Sequence, residues 1–488
     1  MLLQFGEFAP DTADLNSGQL AEAINCLPYE AGYRPMPSLS ELSDAIGSTV
    51  FGATLAVSQD ATKTKYVFAG TTGKLWRLGA SMTWEDVSQA LTTYAATADD
   101  RWSFAQFGQY VIAVNPNDDP QYFDLDGGTT FVDLPGSPPR ARLVSVWGDF
   151  AVLGCLTTNP VRVQWSGLND IANWTPGTGN SDYQDFPDGG WVKGLPPTDP
   201  PIILQDSAIR RANFLPGSVA VFSFEKIADQ IGSTSFYSSI SRDRNVFFLA
   251  DDGFYAISSA GGMTPIGQRK VNKYYLDNVD REWVELTLAA IDPFYPRVYW
   301  VWRATGASGA AYDRILIYDF AMGRWTEARV ETQTVVPLST PGYTLEDLDS
   351  FGSLDALPSS LDSRAWAGGA AAILGAIGPN GKFGFFDAVD MEATFTTCEY
   401  GPTDGSVREV QTVNPIVDPT SAYVSLGWRM SRGSARAWTG EVATSSATGI
   451  SRVRKRARYH TIKLRIPADS GWTYCQGVDV GVIGAGRR

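Results

Sequence analysis

Apolar and polar positions recur along the chain in a loose repeating unit. Each unit has an apolar run rich in β-forming residues, a turn with Gly, Asp or Asn, a second apolar run and then an aromatic residue. Successive units are spaced by about 40–60 residues. The units begin at the runs 66–70, 107–114, 146–153, 201–204, 245–250, 297–302 and 365–366.

This spacing predicts a β-propeller over residues 48–390, with six or seven blades. A small antiparallel sheet cannot bury both of its faces alone, whereas sheets arranged radially cover one another. We expect the aromatic residues that close the units to fill the gaps between blades. These residues are Trp84, Phe131, Trp174 and Trp325. The alternative is a set of β-sandwiches made of unrelated hairpins.

Three stretches interrupt the repeat, and we expect them to form insertions on one rim of the propeller. Residues 175–200 are rich in Gly, Pro and Asp, and residues 267–285 carry mixed charges. Residues 339–362 are predicted to be helical, because Thr344 can cap an acidic first turn.

The two ends of the chain have a different pattern. Residues 391–488 contain longer alternating runs, at 423–430 and 460–466, which are typical of strands with one wet face. This pattern predicts a C-terminal β-sandwich. Residues 1–47 predict a short N-terminal arm, with a helix over 15–24 and prolines that then impose extended chain. The fold class is therefore all-β: a propeller, a C-terminal sandwich and an arm.

The composition is that of a folded protein. Of the 488 residues, 44% are hydrophobic and 19% are charged, which excludes a disordered chain. It also excludes a coiled-coil rod, which is rich in Ala, Glu, Lys, Leu and Arg. Glycine is abundant, at 48 residues, and fits many tight turns between short strands.

The charge is unevenly distributed along the chain. The formal net charge is −14, so the chain as a whole is a poor candidate for non-specific DNA binding. Residues 391–488 contain 13 Lys and Arg against 8 Asp and Glu, a net +5, which leaves −19 for the rest. The pattern favours two different partner surfaces, and the alternative is that both charges only maintain solubility.

The spacing of the cysteines and the hydropathy of the chain indicate the cellular compartment in which the protein is made. The four cysteines, Cys26, Cys155, Cys398 and Cys475, form no CxxC pair, which argues against a zinc site or a redox motif. The first residues lack the pattern of a signal peptide, and no apolar run approaches the length of a membrane span. We expect a soluble protein made in a reducing cytosol.

Candidate catalytic chemistry is sparse. His460 is the single histidine, and no GxSxG nucleophile elbow is present. One histidine also leaves few ways to build a zinc, copper or iron site, so we expect His460 to be structural. A glycosidase needs only two carboxylates, and the sequence selects no pair among its 53 acids. We expect no enzyme activity, no metal and no cofactor.

The densest basic run is the candidate partner-contact site. It contains Arg452, Arg454, Lys455, Arg456 and Arg458. Alternating residues of a strand project to one face, so this run predicts a basic face. That face can contact an acidic neighbouring subunit, a partner's carboxylates or DNA phosphates. The alternative is a solvated face without a partner.

Several short stretches resemble the tail nozzle proteins of short-tailed bacteriophages, some of which are described as packaged-DNA stabilisation proteins. Two of these stretches are similar to the N-terminal segment of that family, and two others are similar to its blade signature. The remaining similar stretches lie in the predicted helical insertion and at the C-terminal end. The N-terminal stretches are residues 6–11 and 23–28 with 32–35, and the blade-like stretches are 163–166 with Trp174 and 246–255. The remaining stretches are 343–348, 361–364 and 484–488.

The resemblance implies a structural role in the virion. Members of that family form a six-fold ring below the portal and adaptor, continue the DNA channel, and retain and conduct the genome. They hold tailspikes or fibres and a needle or plug, and contact with the host outer membrane is a further expectation. Their fold is a propeller with an added platform and a tip. An acidic lumen would repel DNA phosphates and let DNA slide.

Two other functions stay open on the sequence. One is a propeller-fold glycan-binding or glycan-cleaving tail protein, for which a buried carboxylate cluster in the propeller channel would be the sign. The other is a monomeric propeller that binds protein or carbohydrate. For the nozzle function we expect residues 1–47 to pack with 391–488 as the platform that meets the adaptor.

Overall fold

The computed structural model describes residues 1–339, 352–353 and 372–486, apart from residues 62, 80, 219, 310, 403 and 419–421. Strands dominate these residues. The helical segments among them are α1 (Asn272–Asn278), within the predicted insertion 267–285, and the 3₁₀ helix Arg281–Leu286, which extends one residue beyond it. The predicted helical insertion at 339–362 lies outside the described residues, apart from 339, 352 and 353.

The N-terminal arm is made of strands. They are β1 (Leu2–Gln4), β2 (Leu20–Ile24), β3 (Cys26–Tyr29), β4 (Gly32–Pro35) and β5 (Pro37–Leu39). The helix expected over 15–24 is wrong. Asn16 and Gly18 adopt left-handed backbone angles, with φ of 55° and 76°, which end any helix there, and β2 pairs with two other strands.

The propeller begins at β6. Blade 1 has β6 (Val50–Val57), β7 (Lys65–Thr71), β8 (Leu75–Leu78) and β9 (Trp84–Asp86). Blade 2 has β10 (Ser103–Phe107), β11 (Tyr110–Val114), β12 (Gln121–Asp124) and β13 (Val132–Asp133). Blade 3 has β14 (Ala141–Trp147), β15 (Phe150–Leu156), β16 (Asn159–Trp165) and β17 (Asp182–Asp185).

The next three blades repeat this order. Blade 4 has β18 (Val192–Gly194), β19 (Ile202–Gln205), β20 (Ala208–Phe214) and β21 (Phe222–Asp229). Blade 5 has β22 (Ile240–Arg242), β23 (Asn245–Ala250), β24 (Gly253–Ser258) and β25 (Met263–Pro265). Blade 6 has β26 (Leu288–Ile291), β27 (Arg297–Trp302), β28 (Arg314–Asp319) and β29 (Arg324–Ala328).

Blade 7 closes the ring with a strand from the arm. Its strands β30 (Thr334–Leu338), β31 (Ile373–Ile377) and β32 (Phe383–Asp390) pair in sequence order, and β5 pairs with the outer edge of β32. The inner strand β30 contacts β6 of blade 1, so blades 7 and 1 are neighbours. The described residues therefore form a seven-bladed β-propeller in which the two ends of the ring are held together by hydrogen bonds.

The apolar pattern of the units explains how the blades pack. The second strand of each blade is buried on both faces, as in β15 and β27, because a neighbouring blade covers each side. Phe131 is buried between blades 1 and 2, Trp174 between blades 2 and 3, and Trp325 between blades 5 and 6. Trp84 packs between blades 7 and 1. The prediction that these aromatic residues fill the gaps is confirmed.

One predicted insertion is wrong in part. Residues 175–200 contain β17 and β18, which are the outer strand of blade 3 and the inner strand of blade 4. Both strands are short, and Gly and Pro residues surround them. Neither strand contains an apolar run long enough to be recognised as a strand, so the sequence of this stretch resembles that of a loop.

The sandwich is built from both ends of the chain. Its C-terminal strands are β33 (Ala393–Thr397), β34 (Arg408–Asp418), β35 (Tyr423–Arg429), β36 (Ala437–Trp438), β37 (Val442–Ala443), β38 (Lys455–Ala457), β39 (Tyr459–Ile466) and β40 (Tyr474–Gly484). One sheet has the order β3-β4-β40-β34-β38, with β1 also on β40. The other has the order β2-β33-β39-β35-β36, with β37 also on β35.

Strand β2 joins the sandwich to the propeller. It pairs with β29 of blade 6 on one side, through Ile24 and Glu327, and with β33 of the sandwich on the other. Blade 6 and one sandwich sheet are therefore a single ten-stranded sheet. A single hydrophobic cluster also runs from the sandwich into blades 5 and 6, so the two parts share a core.

Candidate functional site

The predicted basic run lies at the free edge of the sandwich. Only residues 455–457 are in a strand, β38, which is the last strand of its sheet. Val453 and Ala457 are buried, while Arg452, Arg454 and Arg456 are exposed. The three exposed residues alternate with the buried ones or with a half-buried lysine, and we refer to them as the basic row.

Two members of the basic row have no carboxylate partner among the described residues. These are Arg452 and Arg454, whereas nearby Arg429 pairs with Glu399. Arg456 donates a hydrogen bond to the carbonyl oxygen of Ala485. The Lys455 ammonium lies over the Trp428 ring, 5.4 Å from its centroid. Arg452 and Arg454 therefore present positive charge that no carboxylate among the described residues neutralises.

The last residue of the run turns inward. Arg458 is half-buried and lines a small cavity of about 50 Å³ beside His460. The His460 ring is 7% exposed, and its Nε2 lies 3.2 Å from the carbonyl oxygen of Arg408. Burial lowers the pKa of His460 below its ordinary value. Arg458 and His460 are thus parts of the sandwich interior rather than of an exposed face.

The arm changes the charge of the folded sandwich. Residues 1–36 contribute five acidic residues and Arg34, so the sandwich of 1–36 and 391–488 has a net charge of +1 rather than +5. Asp14 pairs with Arg432, and Glu22 pairs with Lys463 at 3.3 Å. The basic character predicted for the C-terminal part is therefore concentrated at the β38 edge.

The propeller axis is closed at the end where the inner strands begin. The backbone amide of Arg101, in front of blade 2, donates to the Tyr237 hydroxyl over 3.1 Å, and Tyr237 precedes blade 5. The Arg101 guanidinium donates to the Tyr312 hydroxyl and to the carbonyl oxygen of Gln333, in blades 6 and 7. Arg101 is only 4% exposed. These bonds cross the axis, so DNA cannot pass through the propeller of one chain.

Further cations complete this axial cluster. Arg142 of blade 3 pairs with Asp100 at 2.5 Å and lies 4.5 Å from the centroid of the Phe236 ring. Lys193 of blade 4 lies 4.1 Å from the same centroid and 3.4 Å from Glu285. The cluster is rich in cations and phenols, which differs from the buried carboxylate pair that a glycan-cleaving enzyme needs.

Sequence reasoning missed this axial cluster. Its members come from separate blades, and their positions along the chain show no shared motif. The one signal is that most of them lie at or just before the first residues of an inner strand, which becomes visible once the strand starts are known.

A groove lies where the arm, blades 6 and 7 and the sandwich meet. It has a volume of about 800 Å³. Three exposed aromatic residues line it: Tyr29, Phe294 and Tyr295. The Arg34 guanidinium lies 5.8 Å from the centroid of the Tyr29 ring and 4.9 Å from that of Tyr295. Burial and, secondarily, Asp469 raise the pKa of Asp390, a carboxyl in the wall.

The described residues contain neither a metal-ligand cluster nor a membrane-spanning helix. Within the described ranges, no group of three or more His, Cys, Asp or Glu side chains is arranged to hold a metal ion. None of the described helices is long and apolar enough to cross a membrane.

The chain is similar to several solved structures. One is the computationally designed Ika8 protein, with 11% identity and a TM-score of 0.37 over 71% of this chain and 99% of that chain. Another is a quinonprotein alcohol dehydrogenase-like protein from Bacteroides thetaiotaomicron, with 10% identity and a TM-score of 0.38 over 59% of this chain and 68% of that chain. A third is BamB from Moraxella catarrhalis, with 12% identity and a TM-score of 0.33 over 62% of this chain and 94% of that chain. No family model and no curated protein matches the sequence. The propeller architecture follows from the strand pairing of the chain itself.

Proposed function

We propose that this protein is a structural tail nozzle subunit of a short-tailed phage. In this role several copies form a ring, as a homohexamer, below the portal and adaptor in the virion tail. The ring extends the DNA channel, retains the packaged genome and conducts it during ejection. The chain acts without catalysis, and tailspikes or fibres attach to it.

The observation that carries the proposal is the fusion of a seven-bladed propeller to a sandwich through one continuous sheet. Strand β2 pairs with both parts, through Ile24 to blade 6 and through Ala23 to Phe395 of β33. A shared sheet resists bending between the two parts. A rigid propeller with an added platform is the architecture that the resemblance implies for a nozzle.

The closed axis supports a conduit made between copies. Tyr237 and Arg101 meet across the propeller centre, so a single chain offers no passage for a duplex. A DNA channel then has to lie on the axis of a ring of several chains. An acidic channel wall would repel phosphates and let DNA slide.

Electron microscopy of particles that carry the protein tests this function. We expect a six-fold ring at the tail, with the propellers arranged around a central channel. An antibody fragment against an appended peptide tag would identify the subunit in the images. A particle whose tail lacks the tag density, together with free monomeric protein, contradicts the proposal.

A glycan-binding tail protein is the second candidate, and the groove favours it. The apolar faces of sugars pack on aromatic rings, and Tyr29, Phe294 and Tyr295 offer such rings beside the Arg34 guanidinium. A glycan array probed with the full chain tests this function. Binding that Tyr295→Ala removes, and that Tyr183→Ala on blade 3 leaves intact, would favour it over the nozzle.

A further inference from the structure

Negative charge is concentrated in two adjacent blades. Residues 98–189, which form blades 2 and 3, contain twelve Asp and four Arg, a net charge of −8 out of the total of −14. The arginines do not neutralise the surface. Arg101 is buried at the axis, and Arg140, Arg142 and Arg162 each already pair with an Asp.

The uncompensated acids lie in exposed turns and loops and on the outer strand of these two blades. Asp126 lies in the turn between β12 and β13, and Asp133 ends β13, the outer strand of blade 2. Asp149 and Asp170 are exposed in the loops of blade 3. None of the four has an ion-pair partner among the described residues, in contrast to Asp119, which pairs with Arg140 at 2.7 Å. We refer to these four residues as the acidic rim.

The acidic rim and the basic row lie on opposite sides of the molecule. The sandwich, with its β38 edge, continues from blade 6. In a ring of seven, blades 2 and 3 are the two farthest from blade 6. One chain therefore cannot bring its own row to its own rim, whereas two copies can bring these surfaces together.

Both surfaces also expose apolar side chains. Near the acidic rim these are Val132, Leu168 and Tyr183. On the sandwich they are Met430 and Trp438, and Trp438 lies on β36 beside β35, the strand that holds Trp428 under Lys455. Aromatic and apolar groups together with arginine are typical of protein–protein interfaces rather than of a merely solvated face.

We propose that copies of this chain associate head to tail, with the basic row of one copy on the acidic rim of the next. Such a contact joins two different surfaces, so it continues from copy to copy and makes a closed ring when the rotation permits. This inference rests on the proposed function, because it names the contact by which nozzle subunits would meet. A second copy suits the row, because its acidic rim supplies exposed carboxylates with which Arg452 and Arg454 can pair.

Charge reversal in the full chain tests the contact. The row variant is Arg452→Glu with Arg454→Glu, and the rim variant is Asp126→Lys with Asp133→Lys. A second rim variant, Asp126→Lys with Thr130→Lys, preserves the hydrogen bonds that Asp133 accepts from Gln89 and Gln121. The control matched to the row variant is Arg244→Glu with Lys273→Glu, which makes the same change in net charge as that variant on exposed side chains elsewhere.

Sedimentation velocity at low salt measures the association, and circular dichroism verifies that each variant is folded. We expect wild type and control to assemble beyond a dimer, with a size distribution that falls at high salt. Each variant alone should associate at least about tenfold more weakly. An equimolar mixture of row and rim variants should recover assembly beyond a dimer, because the intact row of one variant meets the intact rim of the other and the two reversed surfaces are complementary to each other.

Three results would overturn the contact. They are a wild type that stays monomeric at low salt, variants that assemble as the wild type does, and a row variant that assembles normally but loses binding to a DNA duplex. The last result would assign the row to DNA. A ring on phage particles that incorporates both variants normally would remove this contact while leaving the nozzle function intact.

Discussion

The amide of Arg101 and the hydroxyl of Tyr237 meet over 3.1 Å, and this hydrogen bond ties blade 2 to blade 5 across the propeller axis. Tyr237 also donates to the carbonyl oxygen of Asp99 over 3.0 Å. Burial, the main cause, raises the pKa of Tyr237 above its usual value, so the phenol stays protonated and can donate. One side chain thus satisfies two backbone groups at the point where the blades converge.

Tyr237→Phe is therefore expected to destabilise the propeller. The substitution leaves the partly buried Arg101 amide without its Tyr237 partner, which costs about 1 kcal/mol. Urea unfolding monitored by tryptophan fluorescence measures the change. Tyr110→Phe is the control, because the Tyr110 ring packs on Tyr122 and no hydrogen bond of its hydroxyl is found among the described residues. Equal stability of the two variants would contradict the role of this bond.

The repeat of blades could be predicted from the sequence because the strands of each blade are formed by residues that are close together in the chain. A run such as 245–250 and its following turn carry the pattern of a hairpin, and the closing aromatic residue, such as Trp325, shows where the next blade packs. The strand β5 could not be predicted in this way. It has three residues, begins with Pro37 and is stabilised by pairing with β32, some 350 residues away.

The basic row was visible in the sequence, but its setting was not. Alternation predicted a basic face, and Arg452, Arg454 and Arg456 are exposed as expected. Arg458 is turned inward, because it lies beside the strand pairing of His460 with Trp428. The charge of the whole C-terminal part was misleading, since arm residues such as Asp14 fold onto it and pair with its cations.

The arm is predicted to be part of the sandwich core rather than an appendage. Phe5 is buried, its ring stacks on Phe395 with centroids 5.1 Å apart, and its amide donates to the carbonyl oxygen of Gln476. Phe5→Ala should lower the free energy of unfolding by about 3–5 kcal/mol. Leu2→Ala, on an exposed side chain of the same arm, should change it by less than about 0.5 kcal/mol. A Phe5→Ala loss as small as that of Leu2→Ala would show that the arm is dispensable.

The single histidine provides a clean pH probe. Burial, the largest cause, lowers the pKa of His460. The pKa of His460 is thus lower in the folded state than in the unfolded state, where it is about 6.5. The folded protein therefore has its full stability at pH values above the unfolded-state pKa and loses stability as the pH falls through the folded-state pKa. Proton NMR should show one imidazole titrating below about 6.5.

The matching stability measurement uses His460→Gln. Wild type should lose stability as the pH is lowered from 7 toward 5, and the variant should lose less over the same window, because glutamine takes up no proton there. Thermal unfolding at several pH values gives both slopes. An imidazole that titrates above about 6.5, or identical slopes for the two proteins, would refute this account of His460.

The continuous sheet predicts that propeller and sandwich unfold together. Ala23 is fully buried in β2 and pairs with Phe395, at the junction between blade 6 and the sandwich. Ala23→Pro removes an amide hydrogen in a central strand and should cost about 3 kcal/mol or more. We expect calorimetry to give one transition for the wild type and two for the variant, because the shared strand no longer couples the parts. Ala443→Pro, on the short edge strand β37, is the control and should keep one transition. Two transitions in the wild type would mean that β2 transmits no stability between the parts, and the rigid platform on which the nozzle proposal depends would be lost with it.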